Sequence, residues 1–269
     1  MAGARKSTTV FLGGGRITGA LAAGLRLAGD RREIVVYDRH PEKVRALWRE
    51  SRVKIALDLK AAVERAEMLI VAVRPASVKE MLAEVAACGA KPPRLYVSLT
   101  AGIPFRNLKA GLGDRVRWAR AMPSPVCRIG KGFTPVSFER GLSRQDRGRV
   151  RALFELVGPV VELAESQFDA ITAAASPTHG YHALAALAEA ARKAGLDRQT
   201  ALMSAAHALA DGILYWRESG LDLSELLHEA ATPGGIAAAT MSAMDKAGYQ
   251  RAVDRGIRAG IAQARKNAK

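Results

Sequence analysis

The sequence predicts an α/β fold: a doubly wound, mostly parallel sheet over residues 1–163, followed by an all-helical domain over residues 164–269. Two observations carry that prediction. Up to about Leu163, short β-branched runs alternate with amphipathic stretches, as in a parallel sheet covered by helices on both faces. After Glu165 those runs stop, and alanine and leucine, both strong helix formers, take over. With 269 residues, 49% of them hydrophobic and 25% charged, the chain can bury one large core or two smaller ones, which excludes disorder and a fibrous repeat.

Taken in order, residues 9–12 form the first strand and lead into a run of three glycines. Residues 33–37 are the second strand, with a helix over 41–50 behind it. The most apolar run, 68–73, falls far short of the roughly 20 residues that cross a bilayer, so it is expected to be a buried strand and no membrane partner is expected. A helix over 76–87 and a strand over 95–98 follow, and 159–161 is read as the last strand. Beyond it, helices are expected over 182–195, 197–217, 222–231, 235–247 and 249–266. Gly195 suits a helix C-terminus, and Asp222-Leu223-Ser224-Glu225 suits a capped start with acids at the positive end of the helix dipole. So many apolar faces in one layer of helices imply self-association, as a homodimer or higher homo-oligomer.

The formal net charge of +15 is the one compositional oddity. A nucleic-acid binder concentrates such charge in a stripe interleaved with aromatics. Here aromatics make up 5% and the arginines scatter from Arg5 to Arg265, so no nucleic-acid partner is expected. The densest stretch, Arg140 to Arg151, reads as one solvated helix face. The basic balance favours an anionic cofactor or substrate. Cys88 and Cys127 make no metal or redox pair by spacing and fit a reducing cytosol. The basic residues 1–9 lead straight into the first strand without a signal-peptide core, so a cytoplasmic location is expected.

The strand ending at Leu12 runs into Gly13-Gly14-Gly15-Arg16-Ile17-Thr18-Gly19. Glycines let a backbone turn tightly and approach a pyrophosphate, and the helix that follows aims its unpaired amides at it. A bare glycine pattern is weak, but strand, turn, helix and a second strand ending at Asp38 strengthen it. Asp38 stands 23 residues after Gly15, near the roughly 20 of a ribose-reading acid. Asp38 favours NAD, whereas Arg39 and His40 beside it can hold the 2′-phosphate of NADP or simply open a solvated helix. The two cofactors stand level.

Five motifs then occur in one order. Val71-Ala72-Val73-Arg74-Pro75 resembles the V-K-P loop of pyrroline-5-carboxylate reductases, and Ser98-Leu99-Thr100-Ala101-Gly102-Ile103 resembles their S-x-x-A-G-I loop. Arg120-Ala121-Met122-Pro123 is similar to the start of R-x-M-P-N-x-P, Asp169-Ala170-Ile171-Thr172-Ala173 to D-A-V-T-A, and Thr232-Pro233-Gly234-Gly235 to S-P-G-G. The resemblance spans nearly the whole chain. It implies a Rossmann-type dinucleotide-binding domain followed by a helical dimerisation and substrate domain. It also implies an activity in which NAD(P)H delivers hydride to a cyclic imino acid and proline forms. The cofactor residues it implies, beside Gly13, Gly15, Arg16, Ile17, Asp38 and Arg39, are Ala72, Val73, Arg74, Pro75, Thr100, Ala101, Gly102, Met122 and Pro123.

Two substrate-side elements differ from the family. Where it carries S-G-S-G-P-A-Y, this chain reads Ala175-Ser176-Pro177-Thr178-His179-Gly180-Tyr181, and the threonine of P-G-G-x-T is Ala237. Ser176-Pro177 reads as a helix cap and first residue, leaving free amides for a carboxylate. Thr178 and His179 add a hydroxyl and an imidazole, a side-chain group that can serve as general acid to an imine nitrogen. The expected substrate residues are thus Ser176, Thr178, His179, Gly234 and Gly235, with Thr178 and His179 catalytic. His182 makes His-x-x-His, but no third ligand lies nearby and no metal is expected. His207 and His228 fall on helices and are read as structural. A paralogue for another cyclic imine, or a non-catalytic NAD(P)-binding protein, shares these features. A β-hydroxyacid dehydrogenase needs a G-x-x-G-x-G-x-x-x-K helix that is not found here.

Overall fold

The computed structural model describes residues 8–91, 93 and 95–268; the basic stretch before Thr8, read above for a signal peptide, lies outside them. The strands are β1 (Thr8–Leu12), β2 (Glu33–Tyr37), β3 (Lys54–Ile55), β4 (Met68–Val71), β5 (Leu95–Ser98), β6 (Arg117–Ala121), β7 (Thr134–Phe138) and β8 (Val160–Glu162). Between them lie helices α1 (Arg16–Leu27), α2 (Pro41–Ser51), α3 (Leu59–Arg65), α4 (Val78–Ala87), α5 (Phe105–Leu112) and α6 (Arg144–Glu155). Six more follow: α7 (Phe168–Ala174), α8 (Thr178–Lys193), α9 (Arg198–Ser219), α10 (Leu223–Ala230), α11 (Ile236–Lys246) and α12 (Tyr249–Asn267).

All eight strands form one sheet, ordered β3-β2-β1-β4-β5-β6-β7-β8. Pairing is parallel from β3 through β6; β7 runs antiparallel to β6, and β8 parallel to β7. Side chains alternate between two cores. Phe11, Val36, Ile70, Val97 and Ala119 join Leu21 and Leu25 of α1 on one face. Val10, Leu12, Leu69, Tyr96 and Trp118 join Val63, Leu82 and Leu108 of α3, α4 and α5 on the other. Strands buried on both faces read as continuous apolar runs, which is why β1, β2, β4 and β5 were legible. β3 is two exposed residues, β6 reads Arg-Trp-Ala-Arg-Ala and β7 contains Pro135, so none carried the signature.

Other boundaries shift for local reasons. The helix expected over 76–87 is a 3₁₀ turn, Pro75–Ser77, followed by α4. Helix α8 starts at Thr178, four residues before the expected start, and Gly195 lies just beyond it at φ +108°. Asp222 does close a capping box with Glu225, whose Oε2 accepts from Asp222 N at 2.8 Å. The arginine-rich stretch from Arg140 is helical only from Arg144, and it is not simply solvated. Arg147 pairs with Glu162 at 3.3 Å and Arg149 with Glu67 at 3.3 Å, tying α6 to the sheet. Cys88 and Cys127 are both free thiols, and burial pushes Cys127 up to about 12. No helix is long and apolar enough to cross a membrane among the described residues.

By compactness the chain makes two units: one up to Ala175 and again from Ala259, the other Ser176–Arg258. The sequence reading divided it at 163/164. The first unit reaches further because Phe168, at the start of α7, is fully buried and carries the Arg120 guanidinium 4.4 Å above its ring. The chain's end rejoins it at Gly102 (φ +80°), where a Cβ would overlap the Ala264 carbonyl. There Asn107 Nδ2 also donates to Ala268 O at 2.6 Å and Asn267 Nδ2 to Ala101 O at 3.2 Å. In the second unit, α8 and α9 pack together, burying Ala201 and Ala205. Tyr181, Leu202, Met203, Ile213, Leu214, Tyr215, Leu223 and Ile236 all remain exposed.

Close packing of α1 on the 3₁₀ turn Pro125–Ile129 yields a stability prediction. A Cβ at Gly24 would overlap the Cys127 carbonyl oxygen, so only glycine fits without displacement. Gly24→Ala is expected to destabilise by about 1–3 kcal/mol, the range for overpacking. Urea denaturation checks this; an unchanged midpoint would show that α1 backs away freely.

Candidate functional site

The turns after β1, β4 and β5 gather at the carboxyl edge of the sheet, where open α/β sheets bind ligands. Gly13 N donates to Tyr37 O at 2.8 Å, and Thr18 Oγ1 donates to Gly13 O at 2.6 Å. Gly13 itself must be glycine: its φ is +112°, and a Cβ would lie 2.8 Å from Ala72 O and 3.1 Å from Val73 N. That close approach sets Gly13 of the 13–17 turn against Ala72 and Val73 of the 72–75 loop. Gly15 differs. It is the exposed N-cap of α1 at an ordinary φ of −79°, with no side chain capping the helix and nothing within 4 Å of a Cβ. Arg16 is exposed and Ile17 half-buried after it. The space over Gly15 and the uncapped amides of α1, at the positive end of its dipole, fit a pyrophosphate.

Asp38, half-buried at the end of β2, faces this turn. Its Oδ2 accepts from Gly14 N at 2.7 Å and its Oδ1 from His40 N at 2.8 Å. Arg39, for which the sequence leaves a 2′-phosphate ligand and a solvated helix start level, is paired with two acids. Its Nη1 donates to Glu80 Oε2 at 2.9 Å and its Nη2 to Glu84 Oε1, both on α4. The hydrogen bond to Glu80 raises the Arg39 pKa, and the charges of both glutamates add to it. Glu80 and Glu84 are residues the sequence reading missed. Their i, i+4 spacing puts them on one helix face, but nothing in the sequence says which cation they meet.

The remaining expected coenzyme residues surround the same edge. Ala72 N donates to Leu12 O at 2.9 Å, Val73 is half-buried, and exposed Arg74 precedes the 3₁₀ turn that opens at Pro75. Thr100 is buried with its hydroxyl against Ser98 Oγ, and Ala101 is half-buried. Gly102 meets α12, which adds a packing reason for that glycine. Met122 N donates to Pro135 O at 3.0 Å, extending the β6–β7 ladder, with Pro123 buried behind it. Arg120, quoted in the R-x-M-P motif but given no site role there, is buried: Nη1 lies 3.2 Å from Glu165 Oε1 and Nη2 3.7 Å from Asp169 Oδ1. Burial lowers its pKa against the pull of both acids.

The expected substrate residues lie in the second unit. Pro177, not Ser176, is the residue preceding α8, and two of the amides expected to be free are taken. Ser176 Oγ accepts from Thr178 N at 3.3 Å, and Ser176 O accepts from His179 N at 3.2 Å. Ser176 Oγ donates to Thr178 Oγ1 at 2.9 Å, which leaves the Thr178 hydroxyl hydrogen to donate onward. Thr178 and His179 are exposed on the first turn of α8. Gly234 (φ +76°) turns the chain into α11, whose N-cap, Gly235, brings no capping side chain. Gly235 N donates to Thr232 O at 2.9 Å, and Ala237 is exposed. No group of three His, Cys, Asp or Glu that could hold a metal occurs among the described residues.

Comparison with known proteins bears on both units. Residues 8–102 match the family model described as NADP oxidoreductase coenzyme F420-dependent, and 165–267 match pyrroline-5-carboxylate reductase dimerisation. A pyrroline-5-carboxylate reductase of Mycobacterium tuberculosis is 31% identical, the match covering 93% of this chain and 92% of that protein. One from Synechocystis is 28% identical over 93% and 94%. The fold is that of the Plasmodium falciparum pyrroline carboxylate reductase solved with NADP bound (TM-score 0.88, 19% identity, 99% of this chain and 100% of that one).

Proposed function

The chain belongs to the pyrroline-5-carboxylate reductase family, and we propose that it uses NAD(P)H to reduce the C=N bond of a cyclic imino acid. The observation that carries this reading is the open, uncapped cradle at Gly15 with Asp38 bonded to the same turn. Bound, the reduced nicotinamide supplies a hydride to the imine carbon.

The chain's own residues do the rest. Gly13 permits the turn, and Gly15, Arg16 and Ile17 present the amides of α1 to the pyrophosphate. Asp38 keeps lone pairs for ribose hydroxyls beyond the two amides it already accepts. Ala72, Val73, Arg74 and Pro75, with Thr100, Ala101, Gly102, Met122 and Pro123, border the nicotinamide half and keep water from it. In the second unit, the Thr178 hydroxyl, held by Ser176, and the uncapped start of α11 at Gly234 and Gly235 receive the substrate carboxylate. His179 holds the proton that the nitrogen takes as hydride reaches the carbon, so that C=N becomes CH–NH.

Coenzyme oxidation tests this directly. Mixed with pyrroline-5-carboxylate, pyrroline-2-carboxylate and piperideine carboxylates in turn, the protein is expected to oxidise NADH or NADPH with at least one of them. Coenzyme binding with no oxidation by any would make it a binding protein instead.

The dimerisation model over 165–267 and the exposed apolar side chains of α8 to α11 support self-association, and we assign it to a homodimer through these helices. Light scattering is expected to give a dimer or a multiple of it; a stable monomer at micromolar concentration contradicts the assignment. Two unpaired thiols fit a reducing, cytoplasmic setting.

A further inference from the structure

We propose that the adenosine end of the coenzyme site selects NADH over NADPH, with Asp38 as the residue that discriminates and Glu80 and Glu84 as the residues that withhold Arg39 from a 2′-phosphate. The inference rests on the dinucleotide site proposed above and concerns which dinucleotide it takes.

Two observations carry it. The Asp38 carboxylate is fixed rather than mobile, because one oxygen accepts from Gly14 N at 2.7 Å and the other from His40 N at 2.8 Å. A fixed carboxylate at the end of the second strand accepts well from a 2′-hydroxyl, and it repels a 2′-phosphate by its charge. Arg39, next in sequence and the natural phosphate ligand, offers its two terminal nitrogens to Glu80 and Glu84 instead. Those are the nitrogens a phosphate would take in bidentate fashion. Pairs as exposed as these are individually weak, so Arg39 is not locked. Any phosphate that recruits it nevertheless leaves two unpaired carboxylates beside its own negative charge. Among the described neighbours, the His40 ring lies 3.5 Å from Glu42, and Arg16 opens α1 at the pyrophosphate end of the turn.

Calorimetric titration of the full chain with NADH and with NADPH reads this without turnover. Wild type is expected to bind NADH at least about tenfold more tightly, the scale of one charge-assisted contact. The Glu80→Gln/Glu84→Gln double variant frees Arg39 and is expected to tighten NADPH by about threefold to tenfold, leaving NADH within about twofold. Asp38→Asn, which removes the charge and keeps one amide acceptor, is expected to narrow the gap further. NADPH bound as tightly as NADH by wild type overturns the proposal, as does an affinity ratio unmoved by the variants. If wild type binds neither nucleotide, the proposed function fails and this selection with it.

Discussion

Gly15→Val is expected to abolish coenzyme binding while the protein stays folded. A Cβ at Gly15 meets nothing within 4 Å and the residue has an ordinary φ of −79°, so valine enters without strain. Its cost to the fold is that of a poorer N-cap, about 1 kcal/mol. The space it fills is the space over the uncapped amides of α1, where backbone approach to a pyrophosphate requires no side chain. Losing two or more charge-assisted hydrogen bonds there should weaken binding by at least about 100-fold. Calorimetry with either coenzyme, alongside a thermal melt, separates the two effects. Undiminished affinity would move the dinucleotide site elsewhere. Gly13→Val is the contrasting variant: at φ +112° and against the Ala72 carbonyl it is expected to damage the fold itself.

His179→Ala is expected to lower turnover by about 10²–10⁴-fold, the range for loss of a general acid. His179 occupies the segment where the family carries glycines and serines, and Ala237 removes the usual threonine hydroxyl. It is exposed on the first turn of α8, beside the Ser176–Thr178 hydroxyl pair. If its imidazole instead only binds carboxylate, KM rises and kcat is nearly unchanged. Coenzyme affinity should not change in either case, because His179 lies outside the dinucleotide turn. Wild-type kcat and KM in the variant would show a histidine that merely opens a helix.

The parts of this molecule that were legible in sequence are those whose physics is local. Strands buried on both faces appear as unbroken runs such as Met68-Leu69-Ile70-Val71, and a glycine turn between strand and helix is marked by the residues themselves. The parts that were not legible depend on partners distant in the chain. β6 is hidden because Arg120 interrupts it, and a buried arginine makes sense only once Phe168, Glu165 and Asp169 are seen around it. The sequence leaves Arg39 open between a phosphate ligand and a solvated helix start because Glu80 and Glu84 lie more than forty residues away. Ser176 was read as leaving amides free, yet it takes two of them through its side chain and its carbonyl.

The most direct test of the proposed chemistry follows the transferred hydrogen. The protein is incubated with pyrroline-5-carboxylate and NADH or NADPH deuterated at the transferable C4 position, and the product is analysed by mass spectrometry. Direct reduction of the C=N bond is expected to yield proline with one deuterium on the carbon of the former double bond. Coenzyme that binds tightly while pyrroline-5-carboxylate and the other imines of the oxidation screen are all recovered without deuterium, or product that carries hydrogen from solvent at that carbon, would contradict it.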